Sequence, residues 1–339
     1  YEPPDEPGYA ERGERIAATT ADFLEHPPVD RVAAEHLEAQ ARRADGRTHR
    51  QQRSSAELLA RIESLVPYNE SDFVTLFIGS SMSPVALGSL QAGLVEVYGD
   101  EGYELGRQAV MGVGGIESAD AGRAVASLAA LDGDEFEAAF EQVLHDYGFR
   151  GVNEWEIASP SWEIRPDVLR RAVAAVRAGG VQRDPHATRD AVLAKFDADG
   201  VRERFPDLDL WLDRCTVWLG IRERTKATCV LTINEQRLDA LEIGGRLAAD
   251  GRLDQASDVY FLTLDELRRA VDGRGPDAAK IEARKAARAE LERHQEPLIV
   301  VSGEVPPVDE WPLVGTAAAD PGVAEIVGAA GSPGQATGR

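Results

Sequence analysis

Apolar residues recur three and four positions apart along most of the chain, the spacing that places them on one face of an α-helix. Asp30 to Ala44 has Val32, Ala33, His36 and Leu37 on one side and arginines and acids on the other. Ser54 to Ile62 resumes the pattern, and Ser83 followed by Pro84 opens a further helix, since proline suits a first turn. Glu117 to Leu131 opens with Ser118 and Asp120 as capping candidates, and Asp134 to Asp146 carries Phe136, Phe140 and Val143 at helical spacing. Pro166 to Ala178 and Pro185 to Phe196 share one scheme, with proline at the start and Gly179 or Gly200 beyond the end. Leu208 to Asp250 is the longest run. Within it Gly220 predicts a kink or a close contact, and Gly244 with Gly245 predicts an early end. Leu264 to Asp272 and Pro276 to Gln295 follow as helices, and only Leu298 to Val301 reads as a strand.

The expected fold is therefore mainly α, a large multi-helix domain with a short extended C-terminal tail. From Ser302 the composition shifts to proline, glycine and alanine, which sets the expected boundaries: a helical domain over 1–301, a linker over 302–327 and a separate segment over 328–339. Phe73 to Val95 contains no charged residue and is long enough to span a bilayer. Gly79, Ser80, Ser81, Ser83, Pro84, Gly88, Ser89 and Gln91 make it a poor lipid-facing span, and it reads instead as a buried helical hairpin.

Charge narrows the function. The net charge of −22 argues against a nucleic-acid binder, because neutralising phosphates takes a basic surface. Cys215 and Cys229 would lie roughly 21 Å apart along one helix, too far to bridge, which points to reduced thiols and a cytoplasmic setting. The opening YEPPDEPGYAERG has neither a basic n-region nor an apolar h-region, so no signal peptide is expected. Six scattered histidines without paired-ligand spacing predict no metal site, and no G-x-S-x-G elbow occurs.

Three strings stand out in order: HDYGFRGVNEWEIASPSW (His145 to Trp162), IRERTK (Ile221 to Lys226) and GRLDQASDVYFLTLDEL (Gly251 to Leu267). Together they resemble the central region of the phosphoenolpyruvate synthase and rifamycin phosphotransferase group of PEP-utilising enzymes. That group reads G-(H/Y)-R-G, then E and P-x-W, then R-E-N-T-K, then G-x-L-x-x-x-x-D-V-(F/Y)-x-L-T-x-x-E-L. The tail GAAGSPGQATG (Gly328 to Gly338) is similar to the opening of the swivelling phosphohistidine domain of the same group. The resemblance implies an acceptor-binding middle domain of a multidomain ATP-dependent phosphotransferase. The alternative it leaves open is a non-catalytic helical connector of a phosphoenolpyruvate synthase-like enzyme. It further implies that ATP and Mg are used by the parent enzyme and not by this chain. The expected partners are a small-molecule acceptor and the ATP-grasp and phosphohistidine domains, with no nucleic acid and no membrane; this chain alone is expected to be inactive.

Arg222 and Lys226, four apart on a helix, share a face and repel one another unless an anion lies between them. The resemblance casts them as the catalytic cations that steady a transferred phosphoryl group; a solvated face with Glu223 as partner to Lys226 is the plain alternative. Arg150, between Gly148 and Gly151, is either a substrate contact or an ion pair to Glu154 or Glu156 that pins the turn. Trp155, Trp218, Met82 and Phe77 are candidates to line an acceptor pocket, with simple core packing as the alternative. Departures from the group pattern are Phe149 for His or Tyr, Val152 and Asn153 for Pro and Gly, and Arg224 for Asn.

Overall fold

The computed structural model describes residues 9–113, 117–179, 185–294 and 305–314. Leu298 to Val301, most of 302–327 and all of 328–339 lie outside them. The fold is mainly α: α1 (Tyr9–Glu25), α2 (Val29–His49), α3 (Ser55–Tyr98), α4 (Glu101–Ala109), α5 (Glu117–Leu128), α6 (Gly133–Tyr147), α7 (Pro166–Gly179), α8 (Pro185–Ala198), α9 (Val201–Arg204), α10 (Leu208–Ala249), α11 (Leu264–Val271) and α12 (Ala278–Leu291). No strand occurs among the described residues, only two isolated bridges.

The chain divides into two compact units, residues 1–52 with 61–238, and residues 53–60 with 239–339. In the first, α3 and α10 run antiparallel, as their contacts show: Ser83 Oγ donates to the carbonyl of Trp218 (3.0 Å), Thr232 Oγ1 to Asp72 (3.2 Å) and Asn69 Nδ2 to Gln236 (2.7 Å). Gly79 permits the approach: a Cβ there would stand 3.1 Å from the Arg222 Cα. Leu90, Leu94, Phe196, Leu208 and Trp218 form the core around this pair. A separate small core, with Leu128, Phe140, Leu169 and Val173, joins α5, α6 and α7.

The expected hairpin over 73–95 is one continuous helix instead, with Pro67 and Pro84 inside it. Both prolines lie on the solvent side, where the carbonyls they leave unpaired can be hydrated, so neither breaks the packed side against α10. Nor is the segment wholly buried, since Phe73, Val74 and Phe77 are exposed. By length and composition alone, α3 is apolar enough to cross a membrane, with a third of its most apolar window buried. Gly220 meets nothing close, and α10 continues through Gly244 and Gly245. Propensity loses to packing in both cases.

In the second unit, Gly244 lets α10 press against the carbonyl of Ala256, which a side chain would overlap. Thr263 and Glu266 form a capping box at the start of α11, and Glu266 also receives Arg284 of α12. Lys285 pairs with the buried Asp258 at 3.2 Å.

Asp72 is buried on α3 against Thr232, and its carboxyl is pushed up to about 6 by burial, only partly offset by Arg42 and the Thr232 hydroxyl. A carboxyl whose folded pKa lies above its unfolded value favours folding in acid. That contribution is lost as pH rises through about 6. Asp72→Asn is therefore expected to gain stability relative to the parent sequence as pH rises from 4 to 7.5. Buried His36, held down to about 4 by burial and Arg224, acts in the opposite sense but cancels in the comparison. Urea midpoints of both proteins at the two pH values check this; a difference, variant minus parent, that does not rise from pH 4 to pH 7.5 contradicts it.

Candidate functional site

α10 is helical through Arg222 and Lys226 because apolar residues on its other faces, Trp218, Ile221, Ala227 and Val230, are buried along its length. The two cations share one stripe with Cys229 and Ile233. Arg222, its side chain 44% exposed, is held by the neighbouring Glu223 at 2.8 Å. Lys226, 34% exposed, has its Nζ 4.0 Å from Glu154. Glu223, the plain alternative as partner to Lys226, pairs with Arg222, and Lys226 stands beside Glu154.

Glu154 lies in the turn-rich loop between α6 and α7, and its carboxylate also takes Arg150 at 2.8 Å. Arg150 is buried beside the Phe149 ring, so it makes the ion pair that pins the turn. The bridge between Gly151 and Ser161 closes this loop, and Trp162 donates back to the Arg150 carbonyl at 2.8 Å. Arg237, which sequence reasoning passed over, clamps it. Its buried guanidinium donates to the carbonyls of Glu154, Glu156 and Ile157, each at 3.0 Å. Phe149, where the group pattern has a polar ring, is buried with Ala39, Val230 and Leu231.

The apolar candidates separate into three places. Phe77, 67% exposed, and buried Met82 line a cavity of about 660 Å³ between α1 and α3, with Phe23 and Ile16 opposite. Trp155, 43% exposed, lines a second cavity of about 490 Å³ with Phe73, Cys229 and Ile233. Trp218 lines neither: it is 0% exposed, in edge contact with Phe23 at 6.2 Å, and belongs to the core. Arg222 is level with Gly79 of α3, and Lys226, one turn on, shares its stripe with Cys229 and Ile233, which line the second cavity.

Burial pushes the Cys229 thiol up to about 12, so it meets its cavity as a neutral apolar group. Among the described residues no cluster of His, Cys, Asp and Glu is arranged to hold a metal ion.

Residues 113–223 match the family model described as the rifampicin phosphotransferase fourth domain. The chain carries a rifampicin phosphotransferase-like domain. A rifampicin phosphotransferase from Streptomyces sviceus is 28% identical over 168 residues, covering 46% of this chain and 19% of that protein. The chain thus matches about a fifth of the length of that curated relative. The rifampicin phosphotransferase-like match takes in Arg150, Trp155, Trp218 and Arg222; it ends before Lys226, and Phe77 and Met82 precede it.

Proposed function

We propose that the first unit is the acceptor-binding module of an ATP-dependent phosphotransferase that works through a phosphohistidine carried elsewhere in the protein. One observation carries this reading: two partly exposed cations lie a helical turn apart on α10, the second of them on the stripe of Cys229 and Ile233 that lines a largely apolar cavity. Apolar walls with few polar groups suit a bulky small molecule, and the cavities are of ligand size. Phosphoryl transfer depends mainly on positioning and on neutralising charge over the transferred oxygens, which Arg222 and Lys226 would supply. The acceptor hydroxyl would form the new O–P bond as the P–N bond of the phosphohistidine breaks, with the hydroxyl proton released. ATP and Mg²⁺ would charge that histidine at another site, and no residue described here is assigned to them.

The test is a thermal-shift titration with rifampicin and a panel of hydroxylated polycyclic compounds, using the wild type, Phe77→Ala, Trp155→Ala and Arg222→Ala. A compound at 100 times its dissociation constant is expected to add about 2.7 kcal/mol. Because all three side chains are substantially exposed, their removal should leave the unliganded melting temperature nearly unchanged while weakening the ligand shift. No saturable shift across the panel supports the connector instead.

A further inference from the structure

Asn69 of α3 stands in the wall of the cavity of about 490 Å³ that Phe73, Trp155, Cys229 and Ile233 also line. A relay of two hydrogen bonds orients its side-chain amide. The Ile62 carbonyl can only accept, so the buried Gln236 turns its Nε2 toward that oxygen, at 3.2 Å, and its Oε1 toward Asn69. Asn69 must then present Nδ2 to Gln236, at 2.7 Å, which leaves Oδ1 as its other end. That oxygen is closed to solvent and has no hydrogen-bond partner among the described residues. A buried acceptor left unpaired costs free energy, and such groups are rare enough in folded proteins that each one calls for a partner or a function. The lining does not supply the partner. Phe73, Cys229 and Ile233 are apolar, Glu70 is a further acceptor, and the Trp155 indole does not bond this oxygen. Phe73 and Trp155 are both exposed, so the side chains of this wall can turn aside as a ligand enters.

From this we infer that Asn69 is the specificity-determining residue of this cavity: its Oδ1 accepts a hydrogen bond from a hydroxyl or N–H group on an apolar ring ligand, and Phe73, Trp155 and Ile233 hold the ring. The inference rests on the acceptor-binding reading and deepens it by naming the kind of group that the cavity reads. A donor on the ligand satisfies the orphan oxygen; a ligand of the same shape without one leaves it buried and unpaired, and is rejected for that reason. An Asn69 that served only to tie α3 to α10 through Gln236 would be indifferent to the difference.

1-Naphthol and 1-methoxynaphthalene separate these cases, since they share a ring skeleton and only the first has a donor. The ether is the more apolar of the two, so burial alone favours it, and a preference for the naphthol has the opposite sign. Dissociation constants for both would be measured by ligand-observed NMR titration of the whole chain: wild type, Trp155→Ala, and two variants that lack the acceptor, Asn69→Leu and Asn69→Ala, with melting temperatures to confirm folding. The wild type is expected to bind the naphthol about fivefold more tightly than the ether. Trp155→Ala should weaken both probes, and either substitution of Asn69 should abolish the preference. Equal affinities in the wild type, or a preference that survives the loss of Asn69, overturn the assignment while the cavity stands as a ligand site. If neither probe binds, or if neither responds to Trp155→Ala, the cavity is not a ligand site, and the acceptor-binding reading of it falls with the inference.

Discussion

Replacing Glu163 by alanine is expected to lower the unfolding free energy by about 3–5 kcal/mol, the usual cost of removing one partner from a buried ion pair. Glu163 sits where the loop after α6 meets α2, and one carboxylate oxygen takes both Arg43, at 2.6 Å, and Arg47. Its other oxygen accepts from Asn234 Nδ2 at 2.9 Å. Burial would push this carboxyl up, but the two guanidiniums outweigh it and hold Glu163 below the ordinary carboxylate range. Without it two cations face each other, and among the described residues buried Arg43 keeps the carbonyl of Asp146 as its hydrogen-bond acceptor, at 3.0 Å. Because the folded pKa is depressed, the stabilisation is present above the unfolded value and is lost as pH falls through the folded one. Urea unfolding of the wild type and Glu163→Ala at pH 7 and at pH 3 should show a large gap that narrows in acid. A gap under about 1 kcal/mol at pH 7 means that the arginines find other acceptors and that this network does not hold the loop.

The same network bears on the proposed site. Asn234, which steadies Glu163, accepts from Arg237 at 2.9 Å, and Arg237 grips the carbonyls of the loop that presents Glu154. Glu154 in turn stands beside Lys226. A continuous set of largely buried polar contacts thus runs from α2 through α10 to the loop whose Glu154 stands beside the partly exposed Lys226. Such sets specify a single arrangement only when their members are satisfied.

Helical content was legible in the sequence because amphipathic spacing reports burial directly, and α6, α7, α8 and α10 begin and end near the expected residues. The Phe73 to Val95 segment was misread, because a proline in a charge-free stretch looks like a helix start when the helix that supports it is out of view. Spacing showed that Arg222 and Lys226 share a helix face, and the flanking acids offered Arg150 its ion pair. The partner of Lys226 was not legible, since Glu154 meets it only after the α6–α7 loop folds onto α10. Arg43, Glu163 and Arg237 carry charge at positions that one-dimensional patterning assigns to solvent. The one local hint was Arg237 in the helical run Asn234 to Asp239, where polar residues fill a stretch of α10 that the structure buries.

Tryptophans give no such hint, because large aromatics serve cores and pockets alike. Trp218→Ala and Trp155→Ala are accordingly expected to behave as opposites. Trp218 is enclosed among Phe23 and its core neighbours, and truncating it leaves a large cavity, at a cost of about 3–5 kcal/mol. Trp155 is exposed at the mouth of its cavity, and its loss should change stability by no more than about 0.5 kcal/mol while weakening any ligand seated against Phe73 and Ile233. Paired urea-unfolding and ligand-titration measurements on the two variants separate the roles. A Trp218→Ala protein of nearly full stability that lost ligand affinity would place that indole in the acceptor site after all, and would extend the α1–α3 groove inward past Phe23. The opposite loss, of stability alone, leaves the groove bounded by Phe77, Met82 and Phe23 and keeps Trp218 in the core.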